Sequence, residues 1–415
     1  MSTQILTQSK VLQLVPIPRI NRSAFSAGMT VLFVYLFAGL PIQIGVLTQL
    51  GLTAHESTNW FFITWLTTGV FSLALTLFTK QPVSINLSIP ALIFLAGAAG
   101  GFSLPQIIGA NLFVGLATIG LSAFRLTDRF ARLVPPQIAI GVLAGTMLMF
   151  MLKTSQLAVT DLTVSAPVII GFALTLGITR NHLLAVVGAA ASGILGVTVA
   201  GGSPAFGAAL TLPQVSTPAI DFDPYAIVAL GVPLLILTAG LGNIQSLAVL
   251  RSEGYRVRGN LFGLISGIAT VVNAMGGGHA AAIGGTTTAV AAGRDAGPQR
   301  SRFWTIVLSS PPVVVLALAA VPVIAIVQDL PVSYTLTVGA LALVAPFMRV
   351  WEKTLEGPMR IGALTAFGLA LLPFQVAGMP MAFWALAAGI VASAALERGD
   401  LVGCWRYRAA VAKSA

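Results

Sequence analysis

Apolar runs long enough to cross about 30 Å of hydrocarbon recur from residue 24 to residue 397 of this 415-residue chain. Lipid offers no hydrogen-bond partners, so a spanning segment must satisfy its backbone internally, as a helix or as part of a closed barrel. The runs are long and continuous, whereas barrel strands alternate in short segments, so helices are expected. Charged residues make up only 8% of the chain, against about 25% in soluble domains. A water-soluble fold is excluded.

The runs divide into fourteen spans, at 24–43, 59–79, 82–101, 105–124, 136–152, 163–179, 182–201, 224–250, 259–275, 277–293, 302–326, 333–348, 360–375 and 380–397. The net charge of +10 suggests an anionic partner, but its placement has a simpler reading. With the amino terminus cytoplasmic, every Lys and Arg except Lys153 falls on the inner side, as the positive-inside rule requires. The charge therefore orients the chain, and nucleic acid is not an expected partner. The lone Cys404 forms no internal disulfide and belongs to the expected cytoplasmic tail. The first run lacks a cleavage site and reads as a span rather than a removed signal. No regulatory domain is expected at either end.

Seven spans precede the loop 202–223 and seven follow it. An odd number per half turns the second half upside down, the layout of inverted-repeat transporters. A faint echo between "AGLPIQ" (38–43) and "AGLGNIQ" (239–245) agrees with this. The expected fold is an all-α polytopic membrane protein whose fourteen transmembrane segments form a 7+7 inverted repeat.

Segments 3 and 10 are broken by short extended stretches. "VSINLS" (83–88) alternates apolar and polar residues, a strand period in place of a helical one. Ser88 then suits an N-cap and Pro90 a first helical turn. In "GGGHAAAIGGTTTAV" (276–290) the start is extended or irregular, "GGT" begins a helix, and a half-length helix follows. Non-helical backbone at membrane depth survives only where protein or water satisfies it. Two opposed half-helices would aim their positive N-terminal ends at each other near the midplane, a site suited to an anion.

Three blocks, "QPVSINLSIPA" (81–91), "GNIQSLAVLRSEGY" (242–255) and "GGHAAAIGGTTTAV" (277–290) followed by "GRDAGPQRSRFW" (293–304), resemble the bacterial benzoate–proton symporter family. That family sits within the fold of nucleobase–ascorbate transporters and sulfate permeases. The resemblance implies core and gate domains. The amino-terminal tail would be 1–23, the core 24–135 and 224–326, the gate 136–223 and 327–397, and the carboxy-terminal tail 398–415. It also implies import of an aromatic carboxylate with a proton, both termini cytoplasmic in the bacterial inner membrane, and a homodimer. The family pattern differs at the site: an aromatic residue near Leu87, Gln at Gly242, Pro at Gln245, and a polar residue near Ala282. Asn86 is also unexpected.

His279 is the one histidine placed inside the membrane and is the expected proton carrier; the bland alternative is a neutral ring bonded to irregular backbone. Substrate contacts are expected from Ser88, Asn86, Gln43, Asn243, Gln245, Gly285, Thr286 and Thr287. Thr286 is the expected cap of the second half-helix. For the two amides of span 8 the alternative is helix–helix hydrogen bonding, and threonines often bond their own helix. Ser84 completes the polar edge of span 3, and Gly276, Gly277, Gly278 and Gly284 give backbone freedom. Phe25, Tyr35 and Phe37 are placed to flank an aromatic ring. All twelve Asp and Glu residues fall in loops or at span ends, which disfavours a carboxylate relay and suits an anionic substrate. No nucleophile–base pair, metal-ligand cluster or cofactor motif appears, so neither an enzyme nor a cofactor is expected. The competing readings are a nucleobase or other small-anion carrier of the same fold, and an uncoupled anion pathway.

Overall fold

Helices form where the apolar runs predict them. The computed structural model describes residues 20–98, 100–127, 135–202, 211–214, 216–377, 379–400 and 402–403. Cys404, most of both tails and much of the loop 202–223 lie outside the described residues. Asn21 caps the Ala24 N–H to start α1 (Arg22–Leu50), within which Tyr35–Gly39 is wound as a π-helix. A reciprocal capping box between Thr53 and Glu56 starts α2 (Ala54–Thr79). The chain then extends as β1 (Ile85–Leu87) and turns into the half-length α3 (Ile89–Ala98). Next come α4 (Leu104–Ala123), α5 (Pro136–Thr160), α6 (Leu162–Thr179) and α7 (His182–Val199).

The second half opens with α8 (Pro224–Gly240), which carries a π segment at Ile227–Gly231, ends within a second at Ile236–Asn243 and leads into α9 (Ile244–Ser252). Then come α10 (Gly259–Met275), β2 (Ala281–Ile283), the eight-residue α11 (Gly285–Ala292), α12 (Trp304–Leu318) and α13 (Ala320–Asp329). After these run α14 (Val332–Ala342), α15 (Val344–Leu355), α16 (Arg360–Ala370), a hairpin of β3 (Gln375–Val376) and β4 (Met379–Pro380), and α17 (Met381–Leu396). Both halves of the "AGL" echo overlap π-wound segments. Such widened turns recur at functional sites.

Among the described residues, seven helical stretches are long and apolar enough to cross a membrane: α1, α2, α4, α5, α6, α7 and Gln299–Leu318. The pair α13 and α14, bent by 113°, makes an eighth if counted as one span. Several span boundaries differ from expectation: span 1, expected to end at 43, runs on as α1 to Leu50, and span 11, expected over 302–326, is divided between α12 and α13. Span 5, expected to end at 152, continues as α5 to Thr160. Span 12 stops at Ala342, because α15 is amphipathic: Met348, Arg349, Glu352 and Lys353 are exposed, while Trp351 turns onto Phe367 with ring centroids 4.7 Å apart.

Helix α2 packs on α12, and α4 on α10. At the second crossing a Cβ on Gly115 or on Gly267 would lie 2.9 Å from backbone nitrogen of the facing helix, a close approach that only small residues permit. Elsewhere α6 packs on α7, α5 on α16, and α16 on α17. Helices α1 and α14, and α3 and α5, join these two sets. Against α2 and α10, β1 and β2 pair antiparallel, with Ile85 opposite Ile283, Asn86 opposite Ala282 and Leu87 opposite Ala281. The ladder is lengthened by Ser88 N–H donating to Ala280 C=O at 3.0 Å and Gly284 N–H to Ser84 C=O at 2.9 Å.

Candidate functional site

A two-stranded ribbon has two open edges, and inside a membrane protein each unmet backbone group costs about 1–3 kcal/mol or more. Side chains close both edges. On the β1 side the Ser72 hydroxyl accepts from Ile85 N–H at 2.8 Å and donates to Ile85 C=O at 3.0 Å. Thr68 accepts from Leu87 N–H at 3.2 Å, and Thr76 donates to Val83 C=O at 2.8 Å. On the β2 side Thr270 accepts from Ala281 N–H at 3.0 Å and Ser266 donates to Ala281 C=O at 3.0 Å. Asn243 Oδ1 accepts from Ile283 N–H at 2.7 Å, and Ser246 donates to Ile283 C=O at 2.8 Å. Asn111 takes the Ala280 N–H at 2.9 Å, and Asn273 donates to His279 C=O at 2.9 Å. Apart from Asn243, the sequence reading missed all of these. The available signal was a four-residue spacing of hydroxyls along apolar helices: Thr64, Thr68, Ser72 and Thr76 on α2, Ser266 and Thr270 on α10.

With the edges closed, the ribbon is a rigid floor for what projects from it. Asn86 is half-buried, while Ile85 and Leu87, its alternate neighbours, are buried in apolar clusters. Asn86 Oδ1 accepts from the Tyr35 hydroxyl at 2.5 Å, and its Nδ2 donates to Thr287 Oγ1 at 2.9 Å. Thr287 also shares a 2.6 Å hydrogen bond with Ser84. The cluster thus joins the π segment of α1, the strand of one half and the half-helix of the other. Gly284 is what lets them close: a Cβ there would stand 2.2 Å from Asn86 Nδ2 and 2.3 Å from Thr287 Oγ1.

Two helix N-termini flank the cluster. At α3, Ser88 Oγ accepts from Ala91 N–H at 3.4 Å, the expected cap, and its side chain is buried. At α11 the expected cap is corrected. Gly284, extended at φ −70° and ψ 110°, occupies the N-cap and has no side chain to offer. Thr286 is already the second helical residue, past the N-cap position. Gly285, Thr286 and Ala289 are exposed, so the uncapped end of α11 lies open.

Other expected residues stand apart from this opening. Gln43 is fully buried, its Nε2 donating to Thr64 at 2.9 Å and its Oε1 accepting from Trp65 Nε1 at 2.5 Å. Asn243 is committed to β2 backbone and to Ser266. The Gln245 side chain lies outside the described residues. His279 is fully buried behind the ribbon, where Nδ1 accepts from Trp60 Nε1 at 2.8 Å and the rings stack with centroids 5.7 Å apart. Its Nε2 has no protein partner among the described residues. Phe25 is exposed and Phe37 stacks on Phe33 at 5.6 Å, so of the three span-1 aromatics only Tyr35 joins the cluster. The described Asp and Glu residues all lie at helix ends, in loops or on α15.

A family described as "Benzoate membrane transport protein" matches residues 19–395. The inner membrane protein YdcO of Escherichia coli (strain K12) is 25% identical over 343 residues, covering 82% of this chain and 87% of that protein. Among solved structures, the transmembrane domain of the cyanobacterial bicarbonate transporter BicA superposes with a TM-score of 0.55 at 14% identity, covering 92% of this chain and 96% of that one. The murine anion transporter Slc26a9, in an inward-facing state, gives a TM-score of 0.53 at 13% identity, covering 93% of this chain and 70% of that one. At these identities the likeness is one of fold.

Proposed function

The chain belongs to the benzoate membrane transport family, a family of transporters and not of enzymes, and from that premise we propose that it imports benzoate or a close aromatic carboxylate by proton symport. The observation that carries this is the uncapped N-terminus of α11, open beside the Tyr35–Asn86–Thr287 cluster and free of any neighbouring carboxylate. Moving a carboxylate out of water costs several kcal/mol. Hydrogen bonds to a charged group return about 1.5–3 kcal/mol each, and a helix N-terminus adds about 0.3–1 kcal/mol. Two or three backbone N–H groups at Gly285, Thr286 and Ile89 are enough to offset the loss. A carboxylate side chain in the pocket would repel the ligand, and the described residues place none there.

In this reading the substrate carboxylate sits between the starts of α3 and α11, within reach of Ser88, and Asn86 and Thr287 line its polar side. Gln43 and Asn243 support the walls, since their amides are already bonded. His279 is the proton site: its Nδ1 is held by Trp60, so the imidazole takes up a second proton only when that bond opens. Fourteen spans in a 7+7 inverted repeat, divided into core (24–135 and 224–326) and gate (136–223 and 327–397), would present the pocket to each face in turn. The setting is the bacterial inner membrane, with both termini cytoplasmic and the protein a homodimer.

Uptake of labelled benzoate into proteoliposomes, with and without an inward proton gradient, tests this against empty liposomes, which report unaided crossing of benzoic acid. Gradient-driven, protein-dependent accumulation that falls in His279→Ala is the expected result. Accumulation untouched by that substitution removes His279 as the carrier. Uptake indifferent to the gradient points to an uncoupled anion pathway. No protein-dependent uptake removes benzoate, and other small anions and nucleobases follow.

A further inference from the structure

Two blocks that carry the family resemblance, "AVLRSEGY" and "GRDAGPQRSRFW", take no part in the pocket, yet they meet. Among the described residues Arg302 is the only Lys, Arg, Asp or Glu that is buried, at 8% exposure. Its Nη1 donates to Glu253 Oε2 at 3.1 Å and to Ala292 C=O at 2.5 Å, and its Nε donates to Gly297 C=O at 2.8 Å. Gln299 Nε2 donates to Glu253 C=O at 3.0 Å, and the Tyr255 hydroxyl to Gln299 C=O at 3.3 Å. Burial pushes the Tyr255 phenol up to about 12, so it stays a neutral donor.

The placement matters because Ala292 is the last residue of α11. An arginine that serves only to orient the chain needs charge in water, not burial against three acceptors. An eight-residue helix is too short to hold itself, so its ends decide where it sits. At the pocket end Ser246 of α9 bonds Ile283 C=O, just ahead of α11. At the far end Glu253 and Arg302 join the end of α9 to the end of α11. The guanidinium also covers the negative end of the α11 dipole and leaves its positive end to an anion.

We infer that Arg302 is a positioning residue for the anion pocket: with Glu253 it clamps α9 to α11, so that the Gly285 and Thr286 N–H groups stay aimed at the substrate. The clamp deepens the proposed carboxylate site and rests on that reading. Its test compares the native protein with Arg302→Ala, Arg302→Lys and Glu253→Gln, by the kinetics of benzoate uptake and by amide hydrogen exchange across 285–292. Arg302→Ala should raise KM about tenfold, as expected for losing a hydrogen bond to a charged group, with Vmax within about threefold. Exchange in α11 should quicken while α4 and α5 keep their native rates. Arg302→Lys keeps the charge but not the fork and should fall between; Glu253→Gln leaves the buried guanidinium without its counter-charge and should shift KM and α11 exchange in the same direction, by less than Arg302→Ala. If Arg302→Ala does not fold, Arg302→Lys is read by the same criteria. Native KM with native α11 exchange overturns the clamp, and so does a fall in Vmax alone, which marks lost protein rather than a displaced helix. A native protein that takes up no benzoate removes the substrate reading, and α11 exchange by itself then decides the clamp.

Discussion

Asn86 shows how one side chain joins distant parts of the chain. Its amide oxygen is taken by Tyr35, 51 residues away, and its nitrogen by Thr287, 201 residues away. Removing the Tyr35 hydroxyl alone should cost about 0.5–1.5 kcal/mol, roughly three- to tenfold in affinity; benzoate titration of purified Tyr35→Phe checks this, and native affinity would detach Tyr35 from the site. Ser72 serves backbone instead, answering both polar groups of Ile85. Ser72→Ala strands the two and should lower stability by about 1–3 kcal/mol for each group left unmet. Thermal unfolding in detergent reads the loss, and Ser72→Thr should recover most of it. Gly284→Ala sets a methyl against Asn86 and Thr287 and should abolish uptake even where the protein still inserts.

At the scale of the element, the informative feature of α11 is a start without a side-chain cap. Asn21, Thr53, Asn181 and Asp223 cap four other starts; the starts of α5, α10 and α17 are uncapped as well, but that of α11 stands beside the Tyr35–Asn86–Thr287 cluster. Gly285→Pro separates folding from binding here. Gly284 already has the extended dihedrals that a residue before proline adopts, and proline suits a first helical position. The helix should therefore form with one N–H fewer facing the pocket. We expect native melting with benzoate affinity down about tenfold, the worth of a hydrogen bond to a charged group; unchanged affinity would take the carboxylate away from α11. The strand period of "VSINLS", the Ser88 cap and the glycine-led start of α11 were readable because each depends on residues next to one another. The hydroxyl stripes of α2 and α10 were equally visible as spacings, but their purpose appears only when the strand they serve is set beside them.

At the scale of the whole molecule, the β3–β4 hairpin near the carboxy terminus is tied to both halves of the chain: Gln375 Nε2 donates to Gly100 C=O at 2.7 Å, and the Tyr225 hydroxyl to Ala377 C=O at 3.0 Å. Phe102 stacks on Tyr225 beside them, with centroids 5.8 Å apart. The Gly285–Thr286–Ala289 face of α11 stays exposed. In the proposed alternating-access cycle the hairpin contacts would part. A thiol cross-linker joining Gly100→Cys to Gln375→Cys, with Cys404 replaced by Ser, should halt uptake, and cleaving the linker should restore it. Full uptake in the linked protein would mean that these contacts do not part during transport.

The sequence by itself determined the membrane class, the two broken spans and the residues that make backbone turn there, because lipid thickness, helical period and glycine's freedom all act locally. It did not determine which polar groups remain free. For Asn243 it left ligand contact and helix–helix bonding open, because an amide in an apolar helix reads the same whatever it bonds, and Arg302 read as one more orienting charge. Only the tertiary structure decided their partners. Inside a bilayer nearly every polar group must pair within the protein, and those pairs join residues far apart in the chain, as Trp60 and His279 are.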